Sequence, residues 1–159
     1  MMRKVSAIHR RKISSQFGLA VVEFTVVATF LFILIFTIVD LTIFGFVKLT
    51  MQHAVREGAR YAVTGRSDLD PDAQNNREAA ILEKIRLSSN GYLDLVMEPD
   101  DIRVEDIDGN SVAGFGSSGQ LIVIHLDCEW PTTSLYLYPI LDEGNYVFTV
   151  SAAMKNEAF

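Results

Sequence analysis

Between Leu19 and Val39 the chain carries one charged residue, Glu23, and the segment ahead of it is basic. Residues 1–18 contain Arg3, Lys4, His9, Arg10, Arg11 and Lys12 and no Asp or Glu. An apolar run of roughly 20 residues matches the hydrocarbon core of a bilayer when wound as a helix. The basic flank is expected to stay cytoplasmic, which gives an N-in, C-out, single-pass topology with the remainder exported. A secretory signal peptide would show a shorter apolar core of about 7–15 residues ending at a small-residue cleavage site. No Ala-x-Ala site follows this run, so the segment is expected to be retained. The division that results is a leader at 1–18, a transmembrane helix at 19–40, an amphipathic continuation at 41–65 and an exported head at 66–159.

Glu23 is the exception inside the apolar run. One reading is a carboxylate that snorkels to the cytoplasmic interface. The other is a functional intramembrane acid, which inside an apolar bundle needs a cationic partner. From Glu23 to Asp40 a helix rises roughly 25 Å, so Asp40 is expected to mark the exit at the far interface. The helix is expected from about Ser14 or Phe17 through Thr64, stopped by Gly65. Beyond Asp40, Leu41, Phe44, Val47 or Lys48, Met51, Ala54 or Val55, Gly58 and Ala62 recur at three- and four-residue spacing. That stripe should lie against a globular domain. Glu57 is within reach of Arg60 or Tyr61 on the next turn.

Gly18 followed by Leu19, with Glu23 five places after the glycine and Phe24 next, resembles the type IV prepilin processing site. The resemblance implies a cut by prepilin peptidase between Gly18 and Leu19. It also implies that Glu23, beside Phe24, pairs with the new amine of a neighbouring subunit. A second run, Arg56-Glu57-Gly58-Ala59-Arg60-Tyr61-Ala62, is similar to the TadE-like family, minor pilins or pseudopilins of the tight-adherence (Flp pilus) apparatus. The similarity covers residues 18–65 and returns at Ala152-Ala153-Met154-Lys155-Asn156-Glu157; between 66 and 120 it is one of layout. TadF proteins share the N-terminus, so the choice of the E-type branch rests on Arg56 to Ala62.

The resemblance implies assembly of a pilus for surface attachment, with prepilin peptidase, other pilins or pseudopilins and an inner-membrane platform as partners. The head would sit in the periplasm or outside, or be carried out of the cell in the pilus. The alternative is a non-polymerising membrane-anchored assembly or scaffold factor of the same apparatus.

The head reads as α+β. Residues 66–75 form a polar loop, and a short helix follows, capped by Asn75 with Glu78, presenting Ile81, Leu82 and Ile85, and ended by Asn90-Gly91. Three alternating stretches follow: 101–107, 120–130 and 145–155. Ile122, Ile124, Leu126, Cys128 and Trp130 share one face of the second, and Tyr146, Phe148, Val150, Ala152 and Met154 share one face of the third. Such alternation fits an antiparallel sheet, half buried and half wet. The sheet's apolar face needs a cover, and the amphipathic half of the long helix is the available one. The expected architecture is therefore pilin-like, a long N-terminal helix on a small antiparallel sheet, plus one short helix.

The connection 108–119 is a Gly- and Ser-rich hairpin loop. The connection 131–144 holds Leu135, Tyr136, Leu137, Tyr138, Ile140 and Leu141, which either fold into the core or meet a partner.

Several chemistries are disfavoured. The leader holds five of the chain's 14 Lys and Arg and none of its 20 acids, so the remainder is more acidic than the overall charge of −6, which argues against nucleic acid. Asp68, Asp70 and Asp72 have the spacing of calcium-loop ligands, but Ala73 and Ala79 occupy the positions where the loop needs Gly and Glu. A solvated acidic loop is expected there, and a turn at Asp106, Asp108 and Asn110. One cysteine, Cys128, excludes an intrachain disulfide; it is read as a small core residue or as an intermolecular bridge. His9, His53 and His125 are scattered, and no nucleophile-elbow or phosphate-loop motif occurs. No enzyme, metal or cofactor is expected; the expected reaction is performed on this chain, at Gly18.

Overall fold

A computed structural model describes residues 16–98, 101–141 and 143–157. The basic leader, including Arg3, Lys4, His9, Arg10, Arg11 and Lys12, lies outside the described residues, as does the expected helix start at Ser14. The first element, α1, is a single helix, Gln16–Val63, of 48 residues. The chain divides after Ile38 into two compact units.

In the first unit the apolar stretch of α1 is the helix most suited by length and composition to cross a membrane among the described residues, and none of its most apolar window is buried. Its hydroxyls are satisfied within the helix. Thr25 and Thr29 each donate at 2.8 Å, and Thr37 at 2.7 Å, to the carbonyl four residues back. A threonine that bonds its own backbone leaves no polar group to solvate, which is what an apolar surround requires.

The second unit contains the rest of α1, then α2 (Arg77–Ser88), α3 (Leu93–Val96), β1 (Ile102–Asp106), β2 (Leu121–Pro131) and β3 (Asn145–Lys155). The strands form one antiparallel sheet in the order β1-β2-β3. The long β2/β3 ladder pairs Ile124 with Ala152, Leu126 with Val150 and Cys128 with Phe148. These are the apolar positions of both strands, and all six are buried. Against them pack Val47, Met51, Ala54, Val55, Ala59 and Ala62 of α1 and Ala80, Ile81 and Ile85 of α2. Full burial of each larger side chain contributes about 1.5–3 kcal/mol, so this layer is the head's main source of stability.

The head departs from expectation in four places. The cap of α2 is Asn76, not Asn75: its side chain accepts from the amides of Glu78 and Ala79. Asn75 is left-handed (φ 61°) because the Asp70 carboxylate draws in the amides of Asp72, Gln74 and Asn76, at 3.2, 2.9 and 2.8 Å, and closes the turn one residue later. The short α3 was not expected; its four residues bury Leu93 and Val96. Leu41 is half exposed rather than part of the buried stripe. The loop 131–144 folds in only in part: Tyr136, Leu137 and Leu141 are half-buried, whereas Leu135, Tyr138 and Ile140 are exposed.

Candidate functional site

Gly18, Leu19, Glu23 and Phe24 all lie on exposed helix, and no hydrogen bond or ion pair reaches Glu23 among the described residues. Gly18 is helical, and a Cβ added there would meet nothing within 4 Å. Neither backbone conformation nor space requires glycine at this position, so its identity is not explained by the fold.

Gly58 is the opposite case. A Cβ there would collide with Cγ1 of Ile85 on α2, so the glycine lets α2 seat directly on the α1 backbone. Around it, Arg56 and Arg60 face solvent while Ala59 and Tyr61 are buried. Glu57 pairs with Arg60 at 3.3 Å, as the spacing predicts; both ends are wet enough that the pair contributes little. The Tyr61 hydroxyl donates to Asp68 at 2.9 Å and accepts from the Leu69 amide at 3.2 Å. Arg66 grips the same carboxylate at 2.9 and 2.8 Å. Burial chiefly raises the Tyr61 pKa, and the bonds from Tyr61 and Arg66 lower that of Asp68. Thus Asp68 closes the helix end, and Asp70 organises the loop after it.

At the end of α1, Arg77 donates to the carbonyls of Gly116 and Ala62, both at 2.9 Å, and to Asn156 at 3.0 Å. Asn156, almost fully buried, donates in turn to the carbonyls of Phe115 and Ser117 at 3.0 Å each. The two conspicuous segments of the sequence, Arg56–Ala62 and the tail at 152–157, therefore meet through Arg77 and Asn156. They build the head.

At the other end of the head's share of α1, Asp40 is only 1% exposed. Its carboxylate accepts from Thr132 Oγ1 at 2.6 Å, Thr133 N at 2.9 Å, Thr133 Oγ1 at 2.6 Å and Tyr146 OH at 2.8 Å. Phe44, one turn on, stacks on Tyr146 with ring centres 4.5 Å apart. Sequence reasoning placed Asp40 at an interface and missed this role. The available signal was a lone acid on an apolar helix combined with Thr132-Thr133-Ser134, three short hydroxyls in a row. Asp40 is a buried latch between α1 and the loop after β2.

No three His, Cys, Asp or Glu side chains among the described residues are grouped to hold a metal ion. Asp106 accepts from the amides of Asp108 and Asn110 at 2.9 and 2.8 Å, the hydrogen bonds of an Asx-type turn. Cys128 is fully buried, and burial pushes its thiol up to about 12, where it is not nucleophilic. On the wet face of the sheet, Arg103 bonds Asp127 at 2.6 and 3.2 Å and Glu105 at 2.9 Å.

A family model described as TadE-like protein matches residues 18–60. No curated protein and no solved structure matches the chain. The matched segment runs from Gly18 through Glu23 and Asp40 to Arg60, and so takes in the processing-site resemblance and most of the Arg56–Ala62 run. Over residues 18–60, most of the long helix, the chain is similar to TadE-like proteins.

Proposed function

We propose that the chain is a minor pilin or pseudopilin of a Flp-type pilus, cut by prepilin peptidase between Gly18 and Leu19 and acting in assembly of the fibre for surface attachment. The observation that carries this reading is the start of the family match at Gly18, with Leu19, Glu23 and Phe24 in the spacing of a prepilin site. Gly18 is unconstrained by the fold, as expected of a residue kept for a peptidase. Glu23 and Phe24 lie on exposed helix. There the amine of an adjacent copy can supply the cation that a carboxylate in an apolar bundle needs. Residues 19–39 would hold the chain in the inner membrane with the head exported, and would become the packing core of the fibre. Arg56 to Tyr61 act on the head, by seating α2 at Gly58 and closing the helix end at Tyr61. Other pilins and the inner-membrane platform of the apparatus are the partners this requires.

A second reading is a membrane-anchored assembly or scaffold factor that never polymerises. It is favoured by the exposure of the apolar stretch on all sides, which suits lipid all round. Shearing of cells separates the two. A pilus subunit is released with the fibre and stays membrane-bound when the peptidase is absent, whereas an assembly factor stays with the membrane in both strains.

A further inference from the structure

We propose that the loop 131–144 is an interfacial anchor, inserted at the headgroup boundary of the leaflet through which the helix leaves the membrane. The inference rests on the reading of residues 19–39 as a membrane span. Leu135 is 87% exposed, Ile140 77% and Tyr138 56%, in a segment of the head that is otherwise folded. Three large apolar side chains on so short a stretch are not accounted for by packing within the chain, and exposed apolar patches mark contact surfaces.

The loop's attachment selects lipid as the occupant. Thr132 and Thr133 hold the loop base to Asp40, and Asp40 follows directly on Val39, where the apolar run ends. The loop is thus fastened to the one turn of α1 that would stand at the membrane surface. The same bonds bury Asp40, so its charge faces hydroxyls and an amide and not acyl chains; the loop's own acids, Asp142 and Glu143, come after its apolar residues in sequence. The loop is also built for a drier surround. Thr132 N bonds Gly144 O at 2.9 Å across its base, while Leu137 N bonds Ser134 O and Ile140 N bonds Leu137 O, each at 2.9 Å. Backbone groups paired internally are what entry into an interface demands. Tyr138 lies against Gly144, where a Cβ would collide with its ring. Tyrosines with aliphatic neighbours are typical of membrane–water interfaces. No Lys or Arg occurs between 131 and 144, so insertion depends on apolar contact and not on anionic lipid.

The test uses the full chain in phosphatidylcholine vesicles, with an environment-sensitive dye on Ile140→Cys or, as a second site, Leu135→Cys. Cys128 is buried and stays unlabelled. The control is Ser118→Cys; Ser118 bonds the Glu157 carbonyl, and the Glu157 amide bonds Val63, at the other end of the helix. Val63 is about 35 Å along α1 from Asp40. The proposal expects blue-shifted emission at 140 and 135, loss of most of that emission with headgroup-region nitroxide lipids, and a water-like dye at 118. The shift should survive high salt. A water-like dye at 140 and 135 in chains that resist carbonate extraction overturns the proposal and leaves the membrane reading standing. A shift that grows with protein-to-lipid ratio and ignores lipid nitroxides assigns the loop to a second copy and overturns it too. Extraction of the chain by carbonate overturns both readings together.

Discussion

The two halves of α1 are one helix built to two specifications. From Leu19 to Val39 the side chains are mostly apolar on every face, Glu23 being the one charge, and none is buried. From Met51 to Val63 they are sorted, with Met51, Ala54, Val55 and Ala62 fully buried while His53, Arg56 and Arg60 face out; between Asp40 and Thr50 Val47 is fully buried but Phe46 and Leu49 stay exposed. A helix that is apolar all round has its partners outside the chain; one with a single apolar stripe carries its partner with it. Substitutions in the first half should therefore change insertion and assembly, and substitutions in the second half should change folding.

The largest expected contrast is between Met51→Ala and Leu31→Ala. Met51→Ala opens the core and should cost the head about 2–5 kcal/mol. Leu31→Ala should leave head unfolding within about 0.5 kcal/mol of the parent. Denaturant unfolding of the full chain in detergent reads both, and equal effects would break the distinction. Next, Gly58→Ala should destabilise by about 1–3 kcal/mol through its clash with Ile85. Gly18→Ala should be neutral in the same assay, and the gap between the two glycines sharpens the comparison.

Asp40→Ala at the junction strands the donors of Thr132, Thr133 and Tyr146, and should cost about 1–3 kcal/mol. Hydrogen exchange should show the loop at 132–141 opening before the sheet does. The smallest effect is acid sensitivity. Arg103 and Thr149 hold the Asp127 pKa below its ordinary value, and amide and side-chain bonds do the same for Asp70 and Asp106. A lowered folded pKa gives stability that is present above the unfolded value and lost as pH falls through the folded one. The head should therefore hold its melting temperature down to about pH 4 and lose it below. Asp127→Asn should flatten that fall.

Much of this contrast was legible from residue order alone. The alternation in 120–130 and 145–155 placed the right residues on the buried face because period two leaves a strand no other choice once one face is covered. The stripe after Asp40, Gly58 included, was read from its three- and four-residue spacing, the period of a helix with one covered face. What escaped depends on partners distant in the chain. The latch at Asp40 escaped because its partners, Thr132, Thr133 and Tyr146, are far downstream. The cap moved from Asn75 to Asn76 because Asp70, a loop residue with no helical signal, dictates where the turn closes. Buried Leu93 and Val96 are too short a run for periodicity to reveal α3. The proposed processing site rests on spacing, and the exposed, unconstrained helix at Gly18 is compatible with it.

The most direct test is the intact mass and N-terminal sequence of the protein from cells with and without prepilin peptidase. The account predicts a chain beginning at Leu19 only where the peptidase is present. A chain that keeps its leader in both strains would contradict it, leaving a simple membrane anchor in place of a pilin.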